Sequence, residues 1–564
     1  MEKLCTERGE ATPSVPWDCY PRPRMRRDSY VNLNGLWDFS AEDFNGKILV
    51  PFCPESDLSG ISRHFTENTP LTYNRTFTLP EHFNRGRVLL HIGAADQRLE
   101  CYVNNEKAGS HLGGYLPMTF DITAFLQEEN TLKLQVWDDL NDRTYPYGKQ
   151  VKKRGGMWYT PVSGIWQTVW LESVPEEHIE NIQVENRDYS VTVSVTPALA
   201  GKVIVPGLGE YPLVDGSVTI TPEHPHLWSP EDPYLYDFSV VTKDDQVDSY
   251  FAIRKIESEI VNGVPRLLLN GKPYFFHGLL DQGYWPDGIY TPASPECYAD
   301  DILAMKRLGF NTLRKHIKVE PQEFYYQCDK LGMIVFQDMV NNGRYRFFRD
   351  TVLPTIGLQK LRDKGLNRDE NTRNRFMEMA EQTVKHLKSH PSILYWTIFN
   401  EGWGQFQSDR VFRWFKTLDD TRIVDATSGW FRRNLSDVES LHIYFNFWHR
   451  LKPHKTRPLV VSEFGGFMLP VKGHLFNPDK SFGYKSCKDF EDYQKAVDDL
   501  YRTRILPAIP LGLCGAIYTQ VSDVEDEING ILTYDRKVNK MEDTVMVKIA
   551  AELQETLDTN GRKL

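Results

Sequence analysis

Up to about residue 173, apolar and polar positions alternate in short runs: NRTFTL, RVLLHIG, RLECYVN, TLKLQVW and QTVWLES, with Gly, Pro and Asn between them. A period of two marks a strand buried on one face, and a series of such strands predicts a jelly-roll-like β-sandwich over residues 1–174. A second alternating stretch runs through ENIQVENRDYSVTVSVTPAL, GKVIVPG, YPLVDGSVTI and YLYDFSVVTK, which suits a small immunoglobulin-like β-sandwich over 175–258. Near Leu267 the pattern changes. Apolar strand-like runs such as YFFHGLL, NTLRKHI, MIVFQDM and SILYWTIFNE now alternate with charged helical stretches such as ADDILAMKRLG. Eight strand candidates, each with room for a crossover, predict a (β/α)8 barrel over 259–564. An open doubly wound sheet is the rival, but no Gly-rich phosphate fingerprint follows its first strand. The Arg- and Asp-rich segment 341–374 reads as an insertion after the third strand, either shaping a pocket on the active face or forming a solvated excursion.

Composition narrows the classes. The 564 residues are 40% apolar and 25% charged, a globular balance that a length prior divides into three or four domains. The 12% aromatic content fits core packing first and sugar stacking second. A net charge of −11 argues against a nucleic-acid partner, and the basic run Arg22, Arg24, Arg26, Arg27 reads as a solvated loop. Eight scattered cysteines suggest neither a zinc site nor a disulfide framework. The charged, Pro-rich N-terminus has no apolar h-region, and no run of about 18 apolar residues occurs, so no signal, no membrane partner and a cytoplasmic location are expected.

Two carboxylates carry the chemistry. Glu401 ends the fourth strand in TIFNEGWGQ, and Glu463 ends the seventh in VVSEFGG. Barrel strand C-termini point into the catalytic mouth. A pair of carboxyl groups about 5 Å apart can cleave a glycosidic bond with retention, one attacking and the other protonating the leaving oxygen. An arbitrary Glu is usually a surface charge, but each of these follows a mostly apolar run with glycine close behind. His277, His316, Asp281 and Asp338 also fall at or near strand ends, where the histidines suit sugar hydroxyls or a satisfied barrel mouth equally. Trp403 and Trp430 suit stacking on a pyranose or plain packing. No metal spacing is found and no cofactor is implied.

Several stretches resemble glycoside hydrolase family 2. SYVNLNGLWDF is similar to the opening of that family's sugar-binding sandwich and SGIWQTVWLE, Ser163 to Glu172, to its last strand. FAIRKIE with LNGKPYFFHG resembles the entry to its barrel, SHPSILYWTIFNE its acid/base strand, and YTQVSDVEDEINGILTYDRK its closing eighth strand and loop. The resemblance implies Glu401 as acid/base and Glu463 as nucleophile, with Asn400 on the sugar 2-hydroxyl, Tyr444 orienting the nucleophile and Arg314 supporting it. It implies a carbohydrate substrate and, as in similar enzymes, homo-oligomers. The first sandwich is expected to be structural, with a loop reaching the barrel mouth.

The sequence also departs from the family. Members that cleave glucuronides carry Asn-x-Lys before the closing-loop Gly, whereas this chain has Glu527-Ile528-Asn529 before Gly530, and an acid there disfavours a uronate. His316 follows Arg314 by two residues, where the large galactosidases have a His three residues on, and their extra C-terminal sandwiches are not seen. The expected activity is hydrolysis of a terminal β-linked sugar, β-galactosidase-like by family frequency. Arabinosidase, galactofuranosidase, mannosidase and a non-catalytic carbohydrate-binding protein are the alternatives.

Overall fold

The computed structural model describes residues 3–355, 357–358, 362–444 and 447–561. The two sandwiches and the barrel form as the hydrophobic pattern predicts. In the first sandwich a four-stranded antiparallel sheet ending on Met118–Asp121 faces a six-stranded one. Strand Asn130–Trp137 shows why: its alternate residues Leu132, Leu134 and Val136 are buried against Trp37, Leu90 and Leu171 of the other strands. The second sandwich packs three strands on four around Val193, Val203, Phe238 and Val240.

Eight parallel strands make the barrel: β1 Phe276–Asp281, β2 Thr312–Lys315, β3 Ile334–Asp338, β4 Ile393–Asn400, β5 Ile423–Ser428, β6 Glu439–Ile443, β7 Leu459–Gly465 and β8 Leu513–Thr519. The hydrogen-bonded order is β5-β4-β3-β2-β1-β8-β7-β6, so the barrel is closed except for a ladder between β5 and β6. That seam is bridged otherwise, by Asp437 N–H donating to Val424 O at 3.0 Å and by the Ser428 and Ser440 hydroxyls at 3.3 Å. Phe276, Phe336, Tyr395 and Ile517 fill the lower barrel together with Leu267 and Leu269 of a small hairpin beneath it. The upper end is left to polar residues. No helix among the described residues is long and apolar enough to cross a membrane.

The first sandwich reaches over that upper end. Its segment 141–160 lies against the start of the insertion after β3: Gly343 N–H donates to Arg143 O at 2.7 Å, Asn342 Nδ2 to Thr144 O at 2.7 Å, and Tyr147 N–H to Asn341 O at 3.1 Å. On the opposite rim, Thr160 N–H donates to Glu525 at 2.8 Å, Arg154 pairs with Asp526 at 3.0 Å, and the Tyr159 hydroxyl donates to Glu527.

Of the basic run only Arg26 is exposed as expected of a solvated loop. Arg24 is 5% exposed over the Tyr250 ring, and Arg22 and Arg27 both pair with the buried Glu172. Arg27 also forms a two-point pair with Asp245, at 3.1 and 2.7 Å, tying the two sandwiches together. Burial would raise Glu172, but the Arg22 and Arg27 guanidiniums and His91 hold it well below the usual carboxylate range. Its contribution to stability is therefore present above the unfolded carboxylate value near 4.3 and is lost as pH falls. Removing one partner of a buried ion pair costs about 3–5 kcal/mol. Glu172→Gln should lower the melting temperature at neutral pH by on the order of 10 °C, and calorimetry should show that gap shrinking below about pH 4.

Candidate active site

Arg314 is the centre of the upper barrel. It leaves β2 fully buried, and its donors reach three other strands: Nε to Asp338 Oδ1 at 3.0 Å, Nη1 to Glu463 Oε1 at 2.9 Å and to Ser462 O at 3.0 Å, and Nη2 to Asn400 Oδ1 at 2.8 Å. A guanidinium only donates. Asn400 must therefore turn its carbonyl inward, leaving its amide N–H₂ to face the mouth.

Glu463 lies within β7, where the ladder to β8 shifts register between Val461 and Phe464. Each of its oxygens has one donor, Arg314 on Oε1 and the Tyr444 hydroxyl on Oε2 at 2.5 Å. Tyr444 stands one residue beyond β6 and also meets Thr519 Oγ1 at 2.9 Å.

Glu401 follows the last residue of β4 and turns sharply, with a φ of +53°. A non-glycine residue there is strained by about 1–3 kcal/mol, so surrounding contacts must hold it. Its N–H donates to Ser428 O at 3.0 Å, and its carbonyl accepts from Trp430 Nε1 at 2.9 Å. Gly402 continues the turn at a φ of +74°, where an added Cβ would lie 2.0 Å from the Phe431 ring. Burial pushes the Glu401 carboxyl up to about 7; the fields of Lys149 and Arg314 oppose the rise and that of Asp350 adds to it.

Between the two glutamates stands His442, which the sequence reading did not single out. Nδ1 lies 2.8 Å from Glu401 Oε1, while Nε2 lies 3.0 Å from Ser428 Oγ and 3.3 Å from Arg314 Nη1. Burial presses the ring down to about 3, so it is neutral. The signal was available: His442 precedes Tyr444 by two, and that spacing puts both on one face of a strand.

The remaining sequence candidates divide. Asp338 and His316 form a buried pair, with His316 Nδ1 at 2.7 Å from Asp338 Oδ2, and burial presses His316 to about 3. They support Arg314 through Asp338 Oδ1. Trp430 lines the pocket beside Glu401. Trp403 does not; it is 3% exposed and packs behind Trp158, with ring centres 5.1 Å apart. His277 stands near the start of β1, not its end. Its ring is fixed between Gly309 O at 3.1 Å and the Tyr501 hydroxyl at 3.0 Å, so it is a packing residue remote from the carboxylates. Asp281 is taken by Lys315 Nζ at 2.6 Å. Glu527 is no free carboxylate: Tyr159 and Asn529 occupy its oxygens and burial raises its pKa.

Ligand atoms of Glu401, His442 and Glu463 all lie within 4.8 Å of one another, which bounds the gap between the two carboxyl groups. Among the described residues this is the set close enough to share a cation, but the Arg314 guanidinium at 2.9 Å already supplies the positive charge. The pocket above them holds about 560 Å³ and is walled by the sandwich segment 155–158, by the insertion through Phe347, Thr351 and Pro354, and by Phe482 to Tyr484. The insertion therefore shapes the pocket.

Two β-sandwiches feeding a (β/α)8 barrel, with paired carboxylates at its mouth, define the class of multidomain barrel proteins to which this chain is assigned. Its residues 60–175 match the sugar-binding domain of glycosyl hydrolases family 2, 172–254 the central domain of that family, and 261–550 its TIM barrel domain. The chain belongs to glycosyl hydrolases family 2. It is 24% identical over 497 residues to a β-galactosidase of Thermoanaerobacter pseudethanolicus, covering 80% of this chain and 62% of that protein. It is 23% identical to a β-glucuronidase of Mus musculus, covering 84% and 81%. The chain spans 62% and 45% of the lengths of two β-galactosidases it matches. A solved β-D-glucuronidase from Dictyoglomus thermophilum shares the fold, with a TM-score of 0.73 at 19% identity over 95% of this chain and 98% of that one. A β-galacturonidase from Eisenbergiella tayi bound to galacturonate has a TM-score of 0.68 at 18% identity, over 94% and 97%.

Lys149, on the sandwich segment over the barrel mouth, is 8% exposed, and its field is the largest of those that lower Glu401. Replacing Lys149 by Met should therefore move the Glu401 titration midpoint above its value of about 7, as followed by carbon-13 resonances of labelled glutamate. An unchanged midpoint would show that Lys149 does not act on this carboxyl.

Proposed function

We propose that the protein is a retaining exo-glycosidase that hydrolyses a terminal β-linked neutral sugar, β-galactoside-like first, with Glu463 as nucleophile and Glu401 as acid/base. The observation that carries this reading is the short gap between two carboxyl groups in unlike surroundings. A separation within 4.8 Å leaves no room for a water between carboxylate and sugar, which favours direct attack and a covalent intermediate.

In the first step Glu463 attacks the anomeric carbon as Glu401 gives its proton to the leaving oxygen, and the aglycone departs as a neutral alcohol. Arg314 and Tyr444 hold the attacking carboxylate by one oxygen each. The outward amide of Asn400 is placed to donate to the sugar 2-hydroxyl. Once the ester forms, the charge of Glu463 is gone, and Glu401, left as a carboxylate by its donation to the leaving oxygen, stays ionised and takes a proton from the incoming water. That water cleaves the ester, restores the Glu463 carboxylate and leaves the anomeric configuration unchanged.

The neutral-sugar preference rests on Glu527, which lies close enough to Glu463 to feel its charge and brings an acid where a uronate would need a cation. A panel of nitrophenyl glycosides, α and β, pyranose, furanose and uronide, should show turnover of one neutral β-glycoside. Proton NMR of the first-formed product should show retention. The first step needs protonated Glu401, so its rate should fall as pH rises through about 7. Glu401→Gln should lose about 10²–10⁴-fold in kcat/KM on glycosides with poor leaving groups and far less on activated ones. Inversion, or wild-type rates for Glu401→Gln on poor leaving groups, would falsify the assignment.

A further inference from the structure

The pocket changes character along its depth. At its inner end stand Glu401, His442 and Tyr444, each hydrogen-bonded to a polar partner. Its outer wall is apolar and drawn from three separate segments: Met157 and Trp158 of the first sandwich, Phe347 and Pro354 of the insertion after β3, and Phe482 beyond β7. Phe347 and its neighbour Phe348 are each 66% exposed and join no core cluster among the described residues. Scattered exposed apolar residues need no explanation, but these continue the wall of a cavity that holds a reactive carboxylate.

The position of that wall gives it a role. On the reading of Glu401 as acid/base, the leaving group sits on the Glu401 side and must extend toward solvent, past the sandwich and insertion residues that share the pocket with Glu401. A second sugar there would bring several hydroxyls to a wall whose side chains are mostly rings and hydrocarbon, and desolvated hydroxyls without partners are disfavoured. A flat apolar group would instead bury its surface against Trp158, Phe347 and Phe482.

We infer that the outer half of the pocket is an aglycone subsite for an aromatic or similarly apolar alcohol, so that the protein's substrates are glycosides of such alcohols and not oligosaccharides. The inference rests on the glycosidase reading above and adds the leaving group to it.

The test uses inhibitors that cannot be cleaved, so that binding is read apart from chemistry. The methyl, 2-naphthyl and S-linked disaccharide thioglycosides of the sugar selected by the panel are titrated calorimetrically into the full chain. Hydrolysis of the corresponding glycosyl fluoride, which has no aglycone, is measured alongside. The naphthyl compound should bind at least about tenfold more tightly than either of the others. Phe347→Ala and Phe482→Ala, each checked for an unchanged melting temperature, should weaken naphthyl binding by about tenfold. That loss should be several times larger than any change in methyl binding or fluoride hydrolysis. Equal affinity for methyl and naphthyl compounds, tighter binding of the disaccharide, or a loss shared equally by all ligands would overturn the subsite. Absence of turnover on every glycoside and fluoride would instead overturn the glycosidase reading, and the two failures are told apart by whether binding persists.

Discussion

The upper barrel is organised by one buried cation. A guanidinium taken out of water costs least where its nitrogens are met and a counter-charge is close, and each nitrogen of Arg314 has a partner, from β3, β4 and β7 at once. The positions of Asp338, Asn400 and Glu463 are thus not independent. Each is an acceptor placed where one rigid, planar fork requires it. This explains how a barrel whose β5–β6 edge lacks a ladder can still hold its catalytic mouth in one arrangement. The seam is crossed by hydroxyls instead, and the same Ser428 that meets Ser440 and Ser462 also meets His442.

The two glutamates differ because the cation serves one more than the other. Glu463 has the guanidinium on one oxygen and the Tyr444 hydroxyl on the other. Glu401 has no such pair; a neutral histidine stands 2.8 Å from it, and burial raises it to about 7. A retaining mechanism needs one carboxyl group that can hold a proton near neutral pH, and burial gives Glu401 that property. His442 links the two environments, 2.8 Å from Glu401 and 3.3 Å from Arg314.

Much of this was written locally in the sequence. Glu401 and Glu463 close apolar runs, Arg314 and Tyr444 stand at or just beyond strand ends, and the structure brings all four together with Asn400. What failed was long-range. His277 was placed at the wrong end of its strand, because YFFHGLL fixes a strand but not where its exposed mouth begins. The arginines at 22 and 27 looked solvated because their counter-charges, Glu172 and Asp245, are roughly 150 to 220 residues away, and Arg24 because the Tyr250 ring it packs over is as remote. Trp403 and Trp430 are equivalent by composition and separate only when packing sends one behind Trp158 and the other to the wall. His442 was missed although its spacing from Tyr444 was in plain view.

The contribution of the first sandwich had no local signature at all. Residues 141–160 carry a basic run, Lys152-Lys153-Arg154, that reads like any solvated loop, yet they are clamped between the insertion after β3 and the closing loop after β8. The clamp delivers Trp158 to the pocket and Lys149 to the neighbourhood of Glu401. The division is physically sensible. Groups that break the bond must hold sub-ångström positions, and they sit on or beside strands locked by the Arg314 network. Groups that meet the rest of the substrate sit on loops, which tolerate change without disturbing the barrel core. A domain outside the barrel thus reaches both the pocket wall and the field on Glu401, while the paired carboxyl groups stay with the strands.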